Sequence, residues 1–165
     1  MHNELTQIDI RQMKEKLTYY RTLVPGLRDE VKRTREYGDL SENDEYRCAK
    51  REYNRNNSRI RYLENMIKTA VVVSTDSAED TVGLFDWVEV FYPEDKDTQT
   101  VRIVTTLRND IFKNYISNAS PFGKALIGHK VGDRVIVTVS DSYSYPVEIK
   151  SITKGEDDPN LQISI

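Results

Sequence analysis

Ile10, Met13, Leu17, Tyr20, Val24, Leu27, Val31 and Thr34 follow one another in alternating steps of three and four, the spacing of an apolar seam along a helix. Tyr46, Ala49, Tyr53, Asn56, Ile60, Leu63, Ile67 and Ala70 keep the same rhythm, with Asn56 the one polar intrusion. Between the two series, Gly38 suits a helix C-cap and Asp39 or Ser41 suits the cap of the next helix. Ser41 followed by Asp44 forms a loose capping box. Two helices of about 28 residues joined by so short a loop must run antiparallel, and a rise of about 1.5 Å per residue predicts a hairpin about 40 Å long. Pro25 lies inside the first series, where its missing N–H predicts a kink and not a domain boundary.

After Ala70 the period changes to two. Val71–Val73, Trp87–Phe91, Val101–Val104, Arg134–Val139, Val147–Ile149 and Leu161–Ile165 read as short strands separated by turn-rich segments. One short helix is expected over Pro121–Ile127, with Ser120 as cap and Pro121 at its first position. The resulting expectation is an α+β protein: an antiparallel coiled-coil hairpin over residues 1–70, then a small antiparallel β domain with one short helix over residues 71–165.

Composition narrows the function classes. At 165 residues the chain is too short for a full α/β barrel, and 31% charged residues with no apolar run near 20 residues argue against a membrane span. The start of the chain lacks a basic leader and an apolar h-region, so a cytoplasmic protein is expected. A single cysteine, Cys48, makes no internal disulfide, and two histidines leave little material for a zinc site. Any metal would therefore be held by carboxylates.

Charge is shared unevenly, +3 over residues 1–70 and −6 over residues 71–165. A polyanion or an acidic protein surface suits the first half as partner, although mixed charges also serve simply to solvate a helix face. The hairpin loop concentrates Asp39, Glu42, Asp44 and Glu45. Acids there are favoured by capping and by the helix dipole, and the same pair of carboxylates could share a hard cation completed by a partner's ligands. Arg35, Arg47 and Lys50 stand among the many basic residues flanking the loop.

Two long motifs carry a resemblance. Arg35–Tyr46, continuing through Ala49 and Lys50, resembles the tip signature of the GreA/GreB bacterial transcript-cleavage factors. Ile116–Gly128, followed by Gly132–Val135, resembles the signature of that family's carboxy-terminal domain. The resemblance implies an amino-terminal coiled coil and an FKBP-like β domain. It implies binding to RNA polymerase, entry of the coil into the secondary channel, and stimulation of endonucleolytic cleavage of the backtracked nascent RNA 3′ end. Such a protein is not an enzyme alone, since it activates the nuclease activity of the polymerase.

Carried over by motif position, Asp39 and Glu42 are the catalytic tip acids, holding Mg²⁺ jointly with RNA polymerase and binding none tightly by themselves. Arg35, Arg47 and Lys50 become the contacts to the extruded RNA or the channel wall. Ser120, Pro121, Gly123, Leu126 and Gly128 become the polymerase-docking segment. The expected partners are bacterial RNA polymerase and nascent RNA, with no membrane, and the expected state is a monomer.

Three departures stand out. Asp44 adds charge where the family has a small residue, Thr105–Arg108 lacks the family's Gly and Glu, and Asp9 replaces a Gly early in the first helix. The added acidity raises an alternative, a channel binder that regulates or inhibits without cleaving. A second alternative, a prolyl-peptide isomerase suggested by the β fold alone, lacks a visible aromatic-lined pocket in the sequence.

Overall fold

The computed structural model describes residues 3–38 and 43–165, which divide into two compact units, Ile10–Ala70 and a second built from Asn3–Asp9 with Val71–Ser164. The first unit is the helical hairpin. Helix α1 spans Gln7–Arg35 and helix α2 spans Asp44–Thr69. Every position of the two predicted seams is buried or half-buried, because a stripe repeating every three and four residues can be hidden only against a second such stripe. The buried Asn56 is satisfied: its amide donates to the Tyr20 carbonyl at 2.9 Å. Across the outer edge Arg21 meets Glu64 at 2.6 Å, an exposed pair of small energetic weight. Helix α1 runs through Pro25 without interruption. No helix among the described residues is long and apolar enough to cross a membrane.

The second unit contains β1 (Asn3–Leu5), β2 (Ala70–Val72), β3 (Trp87–Tyr92), β4 (Asp97–Val104), β5 (Tyr115–Ser117), helix α3 (Pro121–Leu126), β6 (Arg134–Ser140) and β7 (Tyr143–Thr153). Strands β1 and β2 pair, and the other five form a sheet in the order β5-β4-β3-β7-β6. Val88 and Val90, Val101 and Ile103, Val135 and Val137, and Val147 and Ile149 alternate onto one buried face. Leu126 of α3 and Phe85 join the same core.

Three details depart from the sequence reading. Strand β5 pairs parallel to β4, so the otherwise antiparallel sheet is mixed. Strand β7 continues through Pro146, which pairs only with β6, beyond the Glu148–Thr153 stretch that faces β3. A proline is tolerated where one side of the strand has no neighbour. Leu161–Ile165 forms no strand. Leu161 closes a turn onto the Asp158 carbonyl, Ser164 donates to the Leu107 carbonyl, and Ile163 is buried.

A buried ion cluster fastens this unit. Arg108, 2% exposed, lies between Asp9 and Asp157: its Nε donates to Asp9 at 2.8 Å and its Nη1 to Asp157. Thr6 completes the ring, its N–H donating to Asp9 and its hydroxyl to Asp157. The guanidinium also lies 5.0 Å from the Phe85 ring, at a residue held at φ +66. Two of the three departures named above, Asp9 and Arg108, are therefore partners. Removing one member of a buried pair strands the other charge, so Arg108→Ala should lower the unfolding free energy by about 3–5 kcal/mol, read as an earlier urea transition of the β unit.

Candidate functional site

Among the described residues, the Asn43 side chain links the two helices at the end of the hairpin by hydrogen bonds. Asn43, the N-cap of α2, accepts the Tyr46 N–H at 3.0 Å and donates from Nδ2 to the Thr34 carbonyl at 2.6 Å. One amide thus caps the start of α2 and satisfies a carbonyl in the last turn of α1. Asn43 takes the capping role expected of Asp39 or Ser41, and α2 accordingly begins only at Asp44. Gly38 adopts φ +107, the left-handed geometry expected after a helix end. Asp39 and Glu42, the expected catalytic and metal-binding acids, lie outside the described residues.

The basic flank is assembled around Tyr46. The Arg35 guanidinium and the Lys50 ammonium lie 5.8 and 5.7 Å from its ring centroid. The Arg35 guanidinium at its hydroxyl, followed by Lys50, holds the phenol below the usual tyrosine range. Arg47 and Lys50 line one groove of about 490 Å³ with Tyr46, Arg51 and Asn54. The structure therefore brings Arg35, Arg47 and Lys50 together at one end of the coil. Asp44, 91% exposed, reaches Arg47 only at 3.7 Å. Among the described residues no group of three or more His, Cys, Asp or Glu could hold a metal ion.

In the β unit, most of the expected docking segment faces inward. Ser120 caps α3 by accepting the Gly123 N–H at 3.0 Å, and Leu126 is fully buried. A Cβ at Gly123 would stand 2.2 Å from the Ser117 carbonyl oxygen, so the glycine is required for the close approach. Pro121 and Gly128 remain on the surface.

Sequence reasoning missed an aromatic groove. Tyr92, Glu94, Asp95, Val139, Tyr143 and Tyr145 line about 420 Å³ of it, with ring centroids 6.2 Å apart for Tyr92–Tyr145 and 5.8 Å for Tyr143–Tyr145. Phe122 stacks on Tyr92 with ring centroids 6.3 Å apart. Burial, then the neighbouring Tyr145 and Asp97, pushes the Tyr92 phenol up to about 12. Tyr143 and Tyr145 alternate on β7, but Tyr92 comes from β3 and Phe122 from α3, so no single local pattern announces the cluster.

Comparison with known proteins follows the same division. Residues 3–72 match the family described as "Transcription elongation factor, N-terminal" and residues 77–154 that described as "Transcription elongation factor, GreA/GreB, C-term". The chain belongs to the GreA/GreB family. Transcription elongation factor GreA of Streptococcus thermophilus is 40% identical over 152 residues, covering 91% of this chain and 94% of that protein. GreA of Oenococcus oeni is 36% identical, covering 80% and 82%. A solved structure of the transcription factor Gfh1 is 26% identical with a TM-score of 0.46, covering 93% of this chain and 99% of that one. A GreA/GreB factor from Nitrosomonas europaea is 22% identical with a TM-score of 0.41, covering 58% and 79%.

Two measurements test the GreA/GreB-family geometry. Asn43→Ala removes both the cap and the latch, about 1–2 kcal/mol, so amide exchange over Tyr46–Lys50 should quicken by roughly fivefold or more. Tyr92 should make stability fall as pH rises from 10 to about 12. Across that window the unfolded phenol has lost its proton and the folded one has kept it. Below pH 10 Tyr92 leaves stability unchanged, and Tyr92→Phe should flatten the decline in denaturation curves taken across the window.

Proposed function

We propose that this chain binds bacterial RNA polymerase, inserts its coiled coil into the secondary channel, and stimulates cleavage of the backtracked RNA 3′ end. The observation that carries the reading is the gathering of Arg35, Arg47 and Lys50 around Tyr46 beside the segment bearing Asp39 and Glu42, on a chain of the GreA/GreB family. Exposed cations at the hairpin end attract phosphate and position an extruded strand. Arg35 and Lys50, held at one ring, present two donors at a defined separation.

The donor chemistry of Asp39 and Glu42 suits Mg²⁺, which takes hard oxygen ligands, and two carboxylates alone leave most of its coordination to the polymerase, the RNA and water. When bound there, the ion supplies charge neutralisation at the scissile phosphate and a more acidic water. Asp39 and Glu42 would hold it and orient the attacking water, while Arg35, Arg47 and Lys50 hold the strand. Pro121, the exposed start of α3, serves as the surface contact of the docking segment, with Ser120, Gly123 and Leu126 shaping it from within. The protein acts as a monomer and contributes ligands in trans without being a nuclease itself.

Asp44 favours a second reading. Its exposed carboxylate beside the tip adds repulsion toward phosphate, as a channel binder that does not support cleavage would require.

Cleavage of RNA in stalled, backtracked bacterial elongation complexes with Mg²⁺ separates the two. Wild type should shorten the RNA from its 3′ end, and the Asp39→Ala, Glu42→Ala double variant should lose at least a hundredfold in rate, as expected for groups acting on the reacting atoms. Slowed elongation without cleavage by wild type would instead establish the inhibitor.

A further inference from the structure

The chain treats its aromatic clusters in two ways. The Tyr19–Tyr20 pair carries Arg59, 5.4 Å from the Tyr20 ring, and the Trp87–Tyr115 pair carries Arg102, 5.5 and 5.6 Å from the two rings. The cluster of Tyr92, Phe122, Tyr143 and Tyr145 is larger, yet among the described residues no cation of the chain lies over any of its rings. Tyr143 remains 58% exposed and Val139 51%.

The rim supplies the complementary charge. Glu94 and Asp95 lie in the turn joining β3 to β4 and line the groove, and neither is ion-paired among the described residues, although Lys96 occupies the same turn. The surrounding unit is acidic overall, at −6 over residues 71–165. A floor of phenol faces and a rim of two open carboxylates select a cation with flat, weakly hydrated faces and several N–H donors. A guanidinium stacks on a tyrosine ring and offers paired donors to a carboxylate at the same time, whereas an ammonium is a compact, strongly hydrated charge.

We propose that this groove receives an arginine side chain from a protein partner, stacked on the exposed Tyr143 ring beside Tyr145 with its donors toward Glu94 and Asp95. The partner is the polymerase, a choice that rests on the function proposed above. The groove completes from outside what Arg102 and Arg59 do within the chain, and it gives the β unit a charge-selective contact separate from the α3 segment.

The full-length protein is titrated with N-acetyl-arginine amide while the aromatic proton resonances of Tyr92, Tyr143 and Tyr145 are followed by NMR. Saturable shifts confined to those rings, several-fold weaker with N-acetyl-lysine amide and lost in a Glu94→Gln, Asp95→Asn variant with an unchanged fold, are expected. Binding of that variant to bacterial core RNA polymerase should weaken by roughly tenfold relative to wild type, and more steeply at low salt. No saturable shift overturns the proposal, as does equal response to lysine, a response only to a prolyl tetrapeptide, or undiminished polymerase binding by the variant. If wild type itself does not bind polymerase, the functional reading fails, and the arginine titration still decides the groove.

Discussion

A guanidinium taken out of water must be matched by carboxylates, and Arg108 imposes that demand on the β unit. Its two acids come from opposite ends of the chain, Asp9 from the first turn of α1 and Asp157 from the strandless tail. Asp86 and Lys154 repeat the device nearby: Lys154 donates to Asp86 at 2.5 Å and to the Ala78 and Thr81 carbonyls, while Asp86 accepts the N–H groups of Gly83 and Gly155. A tail without ladder hydrogen bonds is thus held by charge. Burial of such charges is costly unless each keeps its partner, so loss of either partner is the expensive event.

The hairpin was legible because its signal is periodic and repeated. Sixteen seam positions obey one rule, and tertiary packing had no reason to override it. The β unit was legible strand by strand but less so in its connections. The three-residue β5 is too short to show a period, and its parallel pairing depends on the two short 3₁₀ turns that bring it beside β4. Leu161–Ile165 alternates like a strand, yet Ile163 is buried without any ladder pairing, and alternation alone does not distinguish the two.

The site was legible in parts. The cations around Tyr46 followed from their proximity in sequence to the acidic loop, whereas the Asn43 latch required knowing that α2 starts at Asp44. Asp9 and Arg108 stood out singly as departures. Their opposite charges were the available sign that they belong together, across 99 residues of separation. The second family motif shows a different lesson: Ser120, Gly123 and Leu126 are recognisable because the turn into α3 needs a cap, a missing Cβ and an apolar anchor, so recognisability there reflects architecture more than contact with a partner.

The latch at Asn43 also bears on the entropy of the hairpin end. A chain excursion closed only by distant seam contacts samples many end-to-end separations, and the loss of that freedom opposes any association that needs one of them. By joining the Thr34 carbonyl to the first turn of α2, a single amide fixes the two points from which the intervening residues depart. The entropy of fixing Thr34 against Asn43 is thus already spent within the folded chain, and an association that uses these two helix ends forfeits correspondingly less of it.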